Sequence, residues 1–132
     1  MRAALLLSAV LLISACADPR SSPPRPGALV ETRLYLGLST PTGTVSDGDL
    51  DRFLDEEVVP RFPDGLTLLR GEGRWRASDG TQVREGSVVL DLLHPDDASR
   101  QAALVALITA YKQRFQQQSV LVVRSAPRVQ FR

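Results

Sequence analysis

The chain holds a single cysteine, a single histidine and a single tryptophan in 132 residues, and only 5% of it is aromatic. Having His94 alone excludes any site built on two imidazoles, the common zinc-hydrolase helix motif included. Neither a metal nor a cofactor is expected. Having Cys16 alone excludes an internal disulfide, and a modified Cys16 leaves no thiol nucleophile. Basic charge is not in excess either. Of the 16 basic residues only Arg2 lies in residues 1–15, so a chain starting at Cys16 sets 15 basic against 15 acidic residues. A formally neutral domain cannot displace the counterions of a phosphate backbone, so nucleic acid is not expected as a partner. Long apolar runs are missing too. The longest, Ala3 to Ile13, falls well short of the roughly 20 residues of a membrane-spanning helix.

What stands around Cys16 is informative. Met1-Arg2 supplies a positive start, Ala3–Ile13 an apolar middle, and Ser14-Ala15 the small residues that let a protease reach the next bond. That order is a bacterial export signal of the lipoprotein kind, with residues 1–15 as the signal and Cys16 as the lipid-attachment residue. Stable anchoring takes about two acyl chains of the palmitate class, and a diacylglyceryl thioether supplies two. The expected location is the cell envelope, with the domain outside the cytoplasm and the membrane as a partner through the anchor. Pro19, Pro23, Pro24 and Pro26, among serines and arginines, make residues 16–30 an extended tether. Residues 31–132 are left for one folded domain.

Within that domain Glu31–Ser39 alternates, with Leu34, Leu36 and Leu38 on one face and Arg33, Tyr35 and Gly37 on the other. Ser46 caps a helix with Asp49 three residues on, flanked by Val45 and Leu50 in staple positions. Its stripe is Leu50, Phe53, Leu54 and Val58, and Pro60 with Pro63-Asp64-Gly65 ends it. Leu66–Arg76 and Val83–Leu93 read as strands around the Asp79-Gly80 turn. Pro95-Asp96-Asp97 opens a second helix with the stripe Leu104, Leu107, Ile108, Tyr111 and Phe115. Ser119–Arg124 is the last full strand, and Arg128–Phe131 is a candidate extension or partner of it.

The order β-α-β-β-α-β predicts an α+β, ferredoxin-like two-layer sandwich: a four-stranded antiparallel sheet with both helices on one face. Another two-layer sandwich with a different strand order is the alternative. An even-length hairpin loop would pair Trp75 with Arg84, Arg74 with Glu85 and Gly73 with Gly86. It would send Leu69, Gly71, Gly73 and Trp75 to the helices, and Arg70, Glu72, Arg74 and Arg76 to the open face. An odd loop exchanges the faces of one strand. The even loop is preferred because it sorts apolar from charged residues.

On that register Arg33, Tyr35, Arg74 and Glu85 form a candidate ligand-binding or interface group. Guanidinium forks hold carboxylates or phosphates, so a small anionic ligand fits it. The plainer reading is a wet sheet face with cross-strand Arg–Glu pairs worth roughly 0.2–1 kcal/mol each. A homodimer through this face is the third. His94 is expected as an exposed or capping residue of a turn, Tyr111 as core, Trp75 as packing under the hairpin, and Arg114 with Gln116–Gln118 as a solvated helix end.

Several stretches resemble a bacterial family known as domain of unknown function 3574: Arg33-Leu34-Tyr35-Leu36-Gly37-Leu38, the string Pro60-Arg61-Phe62-Pro63-Asp64-Gly65-Leu66-Thr67, Gly73-Arg74-Trp75-Arg76 and His94-Pro95-Asp96-Asp97. With shorter matches they cover most of Arg33–Val123. The resemblance implies an exported domain and supplies no reaction. The leading expectation is a lipid-anchored envelope protein whose domain binds an envelope protein or small ligand without catalysis. A small cofactor-free enzyme, isomerase- or oxygenase-like, using Arg33, Tyr35, Glu85 or His94 is the competing class, and a purely structural surface protein the third. A closed pocket shared by Arg33 and Glu85 would favour the enzyme.

Overall fold

The structure, a computed structural model, describes residues 28–132. The export signal, Cys16 and nearly all of the tether lie outside the described residues. The strand that follows starts at Leu29, two residues before the expected domain boundary.

The elements run β1 (Leu29–Gly37), β2 (Ser39–Thr40), β3 (Gly43–Thr44), α1 (Asp47–Phe53), β4 (Thr67–Arg76), β5 (Gln82–Pro95), α2 (Ala98–Arg114) and β6 (Leu121–Ser125). The four long strands form one sheet in the order β4-β5-β1-β6, with every neighbouring pair antiparallel. That is the ferredoxin-like arrangement, and it fixes the fold as α+β. The two-residue strands β2 and β3 make a separate small hairpin around Pro41-Thr42. Residues 126–132 add no strand to β6.

The core lies between one face of the sheet and the helices. Leu34 and Leu36 of β1 and Val88, Leu90 and Leu92 of β5 meet Leu50, Phe53 and Val58 from one side, and Leu104, Leu107, Tyr111 and Phe115 of α2 from the other. Ser46 caps α1 as its spacing predicts: its Oγ accepts from the Asp49 backbone N–H at 3.1 Å and donates to Asp49 Oδ2 at 2.7 Å. The helix then widens into a π-helical turn over Leu54–Val58, with the Val59 N–H donating to the Leu54 carbonyl at 2.9 Å. A straight α-helix would leave Phe53 and Val58 roughly 140° apart; the wider turn returns both to the core.

The hairpin register differs from the expected one. Trp75 pairs with Val83, Arg74 with Arg84 and Gly73 with Glu85. The cause is Gly80, whose φ is +87°. Ser78-Asp79 forms a turn closed by the Gly80 N–H to the Ala77 carbonyl at 2.9 Å. Gly80 in the left-handed region then bulges the strand, and Asp79 Oδ1 accepts from the Thr81 N–H at 2.9 Å. A turn of this kind followed by a left-handed glycine is a three-residue, odd-length loop. It slips β4 by one residue and exchanges its faces.

Leu69, Gly71, Gly73 and Trp75 therefore lie on the open face, and Arg70, Glu72, Arg74 and Arg76 on the helix side. That side accommodates the charges because this end of the hairpin stays exposed there. Arg70 reaches Asp47 at 2.9 Å, and Glu72 takes both Arg74 and Arg84.

Candidate functional site

The open face has a charged centre and a cavity at one end. At the centre Arg33 is held by two carboxylates: Nε donates to Asp91 Oδ2 at 3.0 Å and Nη2 to Glu31 Oε1 at 2.6 Å. Ser125 Oγ donates to the other Glu31 oxygen at 2.8 Å. The Ser125 bond and then Arg33 hold the Glu31 carboxyl below its ordinary range, while Asp91 and Glu31 raise the Arg33 guanidinium above its own. Two carboxylates already balance the Arg33 charge, which disfavours a further anionic ligand there.

The cavity, of about 660 Å³, lies where β1 ends and α2 turns into β6. It falls in the size range of small-molecule sites. Tyr35, Trp75, Glu85 and Ser87 line it from the sheet, and Gln116, Gln117, Gln118 and Ser119 from the loop. Two glycines make the room. A Cβ on Gly37 would stand 2.9 Å from Glu85 Oε1, so the carboxylate lies against bare backbone. A Cβ on Gly73 would stand 3.5 Å from the Trp75 ring, which lies over that glycine. Glu85 makes no ion pair among the described residues.

The loop is held in place from both sides. Gln116 closes α2 with φ of +54°, a left-handed conformation that usually takes glycine or asparagine. Gln117 Nε2 donates to the Ser39 carbonyl at 2.6 Å, tying the loop to β2. Beneath the cavity the Tyr111 hydroxyl donates to the Gly37 carbonyl at 2.8 Å. Burial, and after it the Glu85 carboxylate, push the Tyr111 hydroxyl well above the ordinary tyrosine range.

The four expected site residues thus separate. Tyr35 and Glu85 share the cavity. Arg33 lies outside it in the ionic centre. Arg74 reaches the cavity lining, but its Nε donates to Glu72 at 2.5 Å. Sequence reasoning missed Trp75, placed under the hairpin but 47% exposed on the open face, and the two glycines beneath Glu85. Gln116–Gln118, read as a solvated helix end, are exposed or half-buried after α2 and also line the cavity. Trp75 is on the open face because Gly80 adopts a left-handed conformation that sets the loop parity, and the sequence alone leaves that parity open.

His94 is likewise not in a turn. β5 runs on to Pro95 opposite Leu29, and the alternation carries His94 to the helix side, where it is 1% exposed. Its Nδ1 lies 2.8 Å from the Pro95 carbonyl, which only accepts, so Nδ1 carries the hydrogen; Nε2 then accepts from the Thr32 hydroxyl at 2.9 Å. Both ring nitrogens are engaged inside the core, which removes His94 as an accessible base. Thr32→Val keeps the shape and strands Nε2, at an expected cost of about 1–3 kcal/mol in a denaturant titration. An unchanged midpoint would show that the ring does not need the bond.

A family model described as "Protein of unknown function (DUF3574)" matches residues 31–131. No curated protein matches the sequence. Among solved structures, the chain resembles a phage SAM lyase in complex with S-methyl-5'-thioadenosine, with TM-score 0.59, 17% identity, and 76% of this chain covering 82% of that one. It also resembles CutA from Synechococcus elongatus PCC7942, with TM-score 0.52, 11% identity, and coverage of 81% and 83%. At such identities the likeness is one of fold.

Proposed function

The chain belongs to the DUF3574 family of proteins of unknown function, and from that premise we propose that it is a lipid-anchored bacterial envelope protein whose domain is a small binding module. The order of charge, apolar run, small residues and Cys16 supports the anchor. The binding surface is the open face of the sheet. One observation carries this reading: five large apolar side chains, Tyr35, Leu69, Trp75, Leu121 and Val123, stand 36–61% exposed together on that face. Contiguous exposed apolar surface ringed by polar groups marks an interaction site. The ionic centre suits the same role in one respect, since Arg33 already bridges Glu31 and Asp91 and would not be buried as a lone cation.

The test is a photo-crosslinking residue placed at Leu69, at Val123, or at Val105, an exposed position on α2. In native envelopes, discrete adducts are expected from the two sheet positions and not from Val105. An adduct of twice the chain's mass assigns the face to a second copy, and another mass to a different envelope protein. Equal labelling from all three positions, or none, would overturn the reading.

A further inference from the structure

The geometry points to a small organic cation of the alkylammonium class as the ligand of the cavity formed by Tyr35, Trp75 and Glu85. The inference rests on the reading of the open face as the binding surface. Two aromatic rings and a carboxylate are the groups that hold such a cation: the ring faces attract it, and the carboxylate balances its charge.

Each part is in place. Glu85 lies on bare Gly37 backbone, has no ion-pair partner among the described residues, and lines the same cavity as both rings. Internal cations cover other rings, Arg100 over Phe62 at 5.7 Å and Arg114 over Phe53 at 5.9 Å, whereas among the described residues none covers Trp75 or Tyr35. Arg74, the one basic residue of the lining, belongs to the helix-side face of β4, where it is bound to Glu72. Neutral glutamines and serines complete the walls and offer hydrogen bonds to a hydroxylated ligand.

Trp75 is the only tryptophan, so its fluorescence reports on the site directly. The intact lipidated protein, in a non-ionic detergent at constant ionic strength, is titrated with choline and in parallel with 3,3-dimethylbutanol, its uncharged isostere. Choline is expected to give a saturable change, with the isostere binding at least about tenfold more weakly, a gap of about 1.4 kcal/mol. Glu85→Gln should erase that preference and Glu85→Asp keep it. Gly37→Ala, which crowds the carboxylate without changing charge, should weaken choline binding. Phosphocholine separates a lipid headgroup from a free amine: equal affinity favours the headgroup, weaker affinity the free cation, and both support cation chemistry.

No saturation with tens of millimolar choline, or equal binding of choline and its isostere, would overturn the inference. Loss of choline binding with face-selective crosslinking intact removes only the cation site. The opposite result removes the docking face and spares the cavity.

Discussion

Phe53→Ala is expected to destabilise the domain by about 3–5 kcal/mol, the usual cost of removing a buried phenylalanine. Phe53 is fully buried in the core, where it packs α1 against α2. Its ring meets Tyr111 edge-on at 5.2 Å and 74°, and Phe115 at 5.6 Å and 64°. Such pairs add about 0.5–1.5 kcal/mol beyond burial. Against a typical domain stability of about 5–15 kcal/mol the loss is large, and the melting temperature should fall by more than about 10 °C. The same truncation loosens the floor of the cavity, because Tyr111 leans on Phe53 while its hydroxyl holds the Gly37 carbonyl. A shift of only a few degrees would mean that the three rings do not act as one cluster.

Cys16→Ser is expected to abolish lipid labelling and to release the protein from membranes. The effect should be nearly all-or-none, because the proposed anchor is covalent and each buried methylene contributes about 0.8 kcal/mol. A serine hydroxyl is not the nucleophile that a thiol is, so no diacylglyceryl thioether forms. Fractionation after metabolic labelling with palmitate reads both consequences. Unchanged membrane retention would refute lipid anchoring at Cys16.

Where sequence and structure agree, the signal was local. Alternation in β1 sorts Leu34 and Leu36 from Arg33 and Tyr35 without reference to any partner strand, and the observed burial follows it. Ser46 and Asp49 close their capping box within four residues. Leu104, Leu107, Tyr111 and Phe115 recur at helical spacing and all reach the core. The candidate site was only half legible, because its membership depends on which strand faces which. Tyr35 and Glu85 sit on strands whose own alternation is clear. The position of Trp75 turns on the conformation of Gly80, and a glycine-containing turn is compatible with either loop parity on sequence alone. Apolar sorting favoured the even loop; the backbone geometry of one glycine outweighed it.

The chain's own pattern decided the order of elements, the Ser46 cap of α1, the faces of β1 and β5, and hence an α+β sandwich with one covered and one open face. Those features follow from hydrogen bonds and periodicities that close within a few residues. The tertiary fold alone decided that β4 turns its apolar side outward, that His94 enters the core beside Thr32, that Arg33 is shared between Glu31 and Asp91, and that the Glu85 carboxylate rests on Gly37. Each of these joins side chains far apart along the chain or depends on a strand's register. No local preference carries that information, because the free energy that selects it arises only once the strands have met.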